Sequence, residues 1–170
     1  MQICILCILA TSLALASAAS LGASYDQRLL SRAAAGFPDP TNDPFYKPPG
    51  DIASKKPGQV VKQRSTVSTF VLDYALIQKS YQVMMRSTDS QGQPIGAVAT
   101  VLVPRTPNKD TSIFSYQNFE DAVSTSCPPS WAYVAGSGSP ATLAANAEGP
   151  VFVSWALSQG FYVVLPDHEG

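Results

Sequence analysis

From residue 3 to residue 16 the chain reads ICILCILATSLALA, an unbroken apolar run without a charge, and it closes on Ala16-Ser17-Ala18. Roughly a dozen apolar residues fall short of the ~20 that span a bilayer, and the small-x-small ending suits signal peptidase. The pattern predicts a secretory signal over residues 1–18 and an extracellular protein. Its amino end, Met1-Gln2, carries no Lys or Arg, so an uncleaved anchor or a buried helix is the competing reading. Residues 19–36 show weak helical periodicity and no core stripe, which fits a short pro-segment or an N-terminal helix. Residues 37–50 (FPDPTNDPFYKPPG) are then crowded with proline. Each proline pushes the residue before it into extended geometry and donates no ladder hydrogen bond. Residues 19–59 therefore read as a surface arm, tacked to the body by Phe37, Phe45 and Tyr46.

Sheet-like patterning starts at Val60 and defines a third region, residues 60–170. Residues 81–86 (YQVMMR) and 96–103 (GAVATVLV) are strand candidates. Between them residues 87–95 hold Asp, Ser, Gly and Pro, so the pair reads as a hairpin with a longer loop. Both alternating sets of 96–103 are apolar, which predicts a strand buried on both faces under helices. Residues 113–117 (IFSYQ) form a short strand whose exit, 118–139, is long and irregular; loops beyond about a dozen residues are uncommon unless they carry function. A helix of ~15 Å is expected from Pro150 to Gly160, with Val151, Trp155 and Leu157 as its apolar stripe and Gly160 at its cap. Residues 162–165 return as a strand, pairing with 113–117 and leaving the other edge open.

Strand, helix, strand makes a βαβ unit, which requires parallel pairing. The expected fold class is α/β: an antiparallel hairpin leading into parallel βαβ units, the sheet incomplete. Such sheets bind ligands beyond the carboxyl ends of their strands, and both the exit after Gln117 and the tail Asp167-His168-Glu169-Gly170 lie at that edge.

A net charge of −1 gives no electrostatic case for nucleic acid or an anionic membrane surface. With Cys4 and Cys7 in the signal, Cys127 is left alone, and an odd cysteine in a secreted protein has a partner elsewhere or is a free thiol.

The chemistry-bearing residues are few. His168 beside Asp167 and Glu169 is a poor metal box, because neighbours on an extended segment point to opposite sides. It reads as a structural histidine, and no metal or cofactor is expected. Gly136-Ser137-Gly138-Ser139-Pro140 lacks the spacing of GxGxxG and the Gly-Lys-Ser/Thr of a phosphate loop. No serine has glycine two before and two after it, as a nucleophile elbow requires. Asp121, in Asn118-Phe119-Glu120-Asp121-Ala122, reads from the residues alone as a turn cap.

Several stretches together resemble the fungal secretory lipases of the yeast lipase A type. They are Asp43-Pro44-Phe45-Tyr46 with Pro48-Pro49, Gly58-Gln59-Val60, Ile113-Phe114-Ser115-Tyr116-Gln117 and Glu120-Asp121-Ala122. Cys127-x-Pro129-Ser130, Trp155-Ala156-Leu157-x-Gln159-Gly160, Tyr162-Val163-Val164 and the closing Asp167-His168-Glu169-Gly170 complete the set. Order and spacing hold over most of residues 43–170. The resemblance implies the N-terminal part of an α/β-hydrolase fold and hydrolysis of triacylglycerols or other carboxylic esters at an oil–water interface, through a serine acyl-enzyme. It implies that the Asp121 backbone N–H is a donor of the oxyanion hole. It also implies that Cys127 pairs with a cysteine beyond residue 170. The nucleophile, acid and histidine of the family's triad map onto no residue here, so the expectation is a lipase-type segment, inactive alone, that stops before the nucleophile elbow. The alternative is a non-catalytic secreted module that binds lipid or another partner.

Overall fold

The computed structural model describes residues 36–69, 75–118, 120 and 124–168, the side chains of 143–148 left aside. The expected secretory signal lies outside the described residues, as does the first part of the arm.

Five strands form one sheet: β1 (Val60–Thr66), β2 (Ile77–Thr88), β3 (Pro94–Pro104), β4 (Ile113–Ser115) and β5 (Tyr162–Pro166), in the order β1-β2-β3-β5-β4. Two helices accompany them, α1 (Pro129–Ala132) and α2 (Thr142–Ser158). The β2–β3 hairpin is antiparallel, with Tyr81 opposite Val101. Its strands run well past the expected 81–86 and 96–103, because Asp89 tightens the turn: its side chain accepts from the N–H groups of Gln91 and Gln93. Gly92 at φ +82° supplies the left-handed residue that the turn needs.

The βαβ unit is present, with β4 and β5 parallel and Phe114 opposite Val163. The free edge is elsewhere than expected. β5 pairs on its other side with β3, antiparallel, with Val101 opposite Val164, and β4 is the outer strand. Spacing along the chain reveals which strands are joined by a helix but not which distant strand closes the second edge, and that is where the expectation failed.

The helix also departs from its prediction. α2 begins at Thr142, so Pro150 lies inside it rather than in its first turn. Val151 and Trp155, expected in the apolar stripe, are 73% and 53% exposed, while Val153, Ala156 and Leu157 are buried. A helix apolar on nearly every side offers no periodic signal to choose between faces, and packing on the sheet made the choice. Its end is as read. Gly160 has φ +79°, and the N–H groups of Gly160 and Phe161 donate to the carbonyls of Leu157 and Ala156, the double bond of a Schellman cap.

Both helices sit on the same face. Ala132, Tyr133, Val153, Ala156 and Leu157 pack with Ile77, Leu102, Val163 and Leu165 in one core, each large side chain contributing about 1.5–3 kcal/mol by its burial. β3 is therefore fully buried on one face only: Val98, Thr100, Leu102 and Pro104 are enclosed, while on the other face Ala99 is buried but Ala97, Val101 and Val103 keep partial exposure.

The arm runs over the sheet in two single-turn helices, Pro44–Tyr46, tied to β1, and Ile52–Ser54, which packs against β3. Its anchor is Arg64 on β1. The guanidinium lies 4.2 Å from the centre of the Phe45 ring, 4.9 Å from Phe37 and 5.7 Å from Tyr46, and pairs with buried Asp43 at 2.6 Å. Lys62 adds hydrogen bonds to the carbonyls of Pro44 and Lys47.

Candidate active site

At the carboxyl ends of β4 and β5 the surface opens into a cleft of about 580 Å³. Its lining includes Thr41 and Tyr46 of the arm, Val98 of β3, Glu120 from the exit of β4, and Asp167 and His168 from the exit of β5. Two chain exits meet there. β4 runs out into buried Asn118 and then Glu120, while β5 ends at Pro166 and delivers Asp167 and His168. The two are tied directly: the His168 backbone N–H donates to Glu120 Oε2 at 2.9 Å. Burial raises the Glu120 pKa, and the hydrogen bond from His168 opposes that shift.

Asp167 is a half-buried carboxyl held by α1. Ser130, in the first turn of α1, donates twice to it, from its backbone N–H to Oδ1 at 2.7 Å and from its hydroxyl to Oδ2 at 2.5 Å. Burial nevertheless pushes the Asp167 carboxyl up to about 7; the Ser130 hydrogen bonds resist the shift and the nearby charge of Glu120 adds to it. Behind Ser130 stands Tyr46 of the arm, whose hydroxyl lies 2.8 Å from Ser130 Oγ. Gln82 of β2, fully buried, donates from Nε2 to Tyr46 OH at 3.1 Å and to the Ser130 carbonyl at 2.6 Å. Its Oε1 accepts from Arg64 Nε at 2.6 Å.

The residues singled out in the sequence meet mixed fates. Asp167 and His168 are at the cleft, His168 exposed and bonded through its backbone. Asp121, like Glu169, lies outside the described residues. Cys127 is a half-buried free thiol among them, and no cluster of metal-ligating side chains occurs among them either. Sequence reasoning missed Tyr46 as a site residue, and with it Arg64, Gln82 and Ser130. A signal for Gln82 existed: Ser80 and Gln82 are polar and alternate with Tyr81 and Val83 in a strand. Buried polar positions on one face of a strand call for partners, but nothing in the chain order points to residue 130 or 46.

No protein-family model matches the chain. Individual proteins do. Lipase A of Moesziomyces aphidis is 40% identical over 158 residues, which is 93% of this chain and 33% of that protein. Lipase 6 of Candida albicans is 39% identical over 134 residues, covering 77% of this chain and 28% of the relative. The chain is a homologue of the fungal lipases. The secreted triacylglycerol lipase LIP3 of Malassezia globosa is 34% identical over 146 residues. In three dimensions the chain is similar to Candida antarctica lipase A in its closed state, with a TM-score of 0.74 and 38% identity over 79% of this chain and 31% of that one. The mixed five-stranded sheet is thus shared with a lipase, and the chain spans about a third of the length of the lipases it matches.

Proposed function

We propose that these residues form the part of a secreted triacylglycerol lipase of the α/β-hydrolase fold that builds one side of the ester-binding cleft. The observation that carries this reading is the agreement with Candida antarctica lipase A in fold and in sequence over 79% of the chain, with a cleft at the carboxyl ends of β4 and β5. In this reading the Asp121 backbone N–H, next to Glu120 on the exit of β4, donates to the oxyanion of the tetrahedral intermediate. Such a donor acts on charge that develops in the transition state, and losing one costs about 2.7–4 kcal/mol of barrier lowering. Cys127 pairs with a cysteine outside residues 1–170. The attacking serine is also outside them, because no serine here sits in a Gly-x-Ser-x-Gly elbow. The substrate is a lipid or other carboxylic ester met at an oil–water interface, and the chemistry needs no cofactor.

The test is to express the 170-residue chain and assay tributyrin and p-nitrophenyl ester hydrolysis. The expected result is no turnover above a blank; turnover by this chain would overturn the assignment of the nucleophile elsewhere. A second reading, a non-catalytic lipid-binding module, is favoured by one feature: Val151, Phe152 and Trp155 are exposed together on α2. Flotation of the chain with phosphatidylcholine vesicles, lost in a Phe152→Ser, Trp155→Ser double variant, would support it.

A further inference from the structure

The hydroxyl chain behind the cleft has a direction. Ser130 has one hydroxyl hydrogen, and it goes to Asp167. Tyr46 must then donate its own hydrogen to Ser130 Oγ, and it in turn accepts from Gln82. Each hydroxyl thus gives one hydrogen and receives one, in the sequence Gln82, Tyr46, Ser130, Asp167, and the chain ends on a group that only accepts. An ionised carboxylate satisfies this role; a side chain with a hydrogen to give does not.

We infer that Asp167 is a positioning residue of the cleft: its carboxylate fixes Ser130 and, through it, Tyr46, so that the exit of β5, α1 and the N-terminal arm form one floor. The inference rests on the hydrolase reading for the purpose of that floor, but not for its geometry. Two facts support a positional role. The Tyr46 hydroxyl joins the arm to Ser130, and so to Asp167 of the cleft lining, whereas Arg64 and Lys62 hold the arm on β1. Burial, moreover, works against the charge of Asp167, so the carboxylate is kept at a cost to stability, as expected of a group kept for placement. The residue after it carries the other tie, from the His168 N–H to Glu120, so one exit positions both walls.

The ionisable groups around Asp167 are Glu120 from the exit of β4, its chain neighbour His168, Tyr46 and Lys47 from the arm, and Tyr133 just after α1. Of these, Glu120 is the one whose charge raises the Asp167 carboxyl.

The experiment uses the 170-residue chain, ¹⁵N-labelled, with Asp167→Asn, Ser130→Ala and Tyr46→Phe. In the wild type the Ser130 amide proton should be shifted downfield at pH 8.5 and move upfield with a midpoint near 7 as the pH is lowered. In D167N that titration should vanish, and hydrogen exchange at the Tyr46 and Lys47 amides should quicken at least tenfold while β2 and β3 are unchanged. Y46F should quicken exchange in the arm and leave the Ser130 titration in place, an ordering that general loosening cannot produce. S130A, the alternative should D167N not fold, should release the arm in the same way. A Ser130 amide that does not titrate, a titration that survives D167N, or equal loss of protection throughout the sheet overturns the inference. The ester assay is separate: its outcome bears on the hydrolase reading and leaves these signals untouched.

Discussion

Arg64 carries more of the arm's attachment than any other single side chain. It offers its face to three aromatic rings, its edge to Asp43 and its Nε to Gln82. Replacing it with alanine strands the buried Asp43 carboxylate, and breaking one partner of a buried pair costs about 3–5 kcal/mol. Arg64→Ala should lower the denaturant midpoint accordingly, whereas Arg64→Lys, which keeps the charge but loses the planar fork, should cost less. Asp167 makes a pH-dependent prediction. Its carboxyl is raised to about 7 in the folded chain and returns to the ordinary carboxylate range, about 4, on unfolding. The folded state therefore binds a proton that the unfolded state has released between those values. The contribution of Asp167 to stability is therefore greatest below about pH 4, falls as the pH rises towards 7 and is flat beyond, a loss on the order of a few kcal/mol. Denaturation of the wild type at pH 5 and pH 8 should show this slope, and D167N should lack most of it.

At the scale of elements, the junction of α2 with β5 is the tightest. A Cβ on Gly160 would lie 2.5 Å from the Asn108 nitrogen and 2.7 Å from the Thr106 oxygen, both backbone atoms with no room to yield. The residue also has positive φ. Gly160→Ala should cost about 1–2 kcal/mol for the left-handed backbone and about 1–3 kcal/mol more for the crowding, measurable by thermal or chemical unfolding. The cap was readable because a glycine after a helical stretch is a local signal. The helix start was not, since Pro150 in a first turn and Pro150 in mid-helix look alike in sequence. The structure decided it by extending the helix back to Thr142, at the expense of one hydrogen bond to the Asn146 carbonyl.

For the whole molecule, the consequence of the strand order is an exposed edge. Among the described residues β4 lies at one edge of the sheet, and its Ile113 is 69% exposed; on the α2 side Trp155 meets Phe114 edge-on and Phe152 stacks on Tyr116, both helix residues half exposed. An unpaired strand edge next to exposed aromatic surface is a template for association. Ile113→Lys should reduce aggregation, followed by light scattering at rising concentration, without lowering the unfolding midpoint, because the side chain it replaces contributes little burial.

The strand candidates 81–86 and 96–103 with the turn residues between them determined a hairpin, and the order strand, helix, strand determined a parallel pair, because both are local or nearly local rules. The same stretches of sequence carried the likeness to the fungal lipases. The partner of the second edge of β5 and the buried face of α2 were decided only in three dimensions, since each depends on which apolar surface a uniformly apolar segment finds. So was the meeting of Tyr46, Gln82, Ser130 and Asp167, four polar residues of which each lies 36 to 48 positions from the next along the chain. Each is unremarkable where it stands in the sequence. They become one network because burial removes water and leaves each hydroxyl and amide only the others as partners.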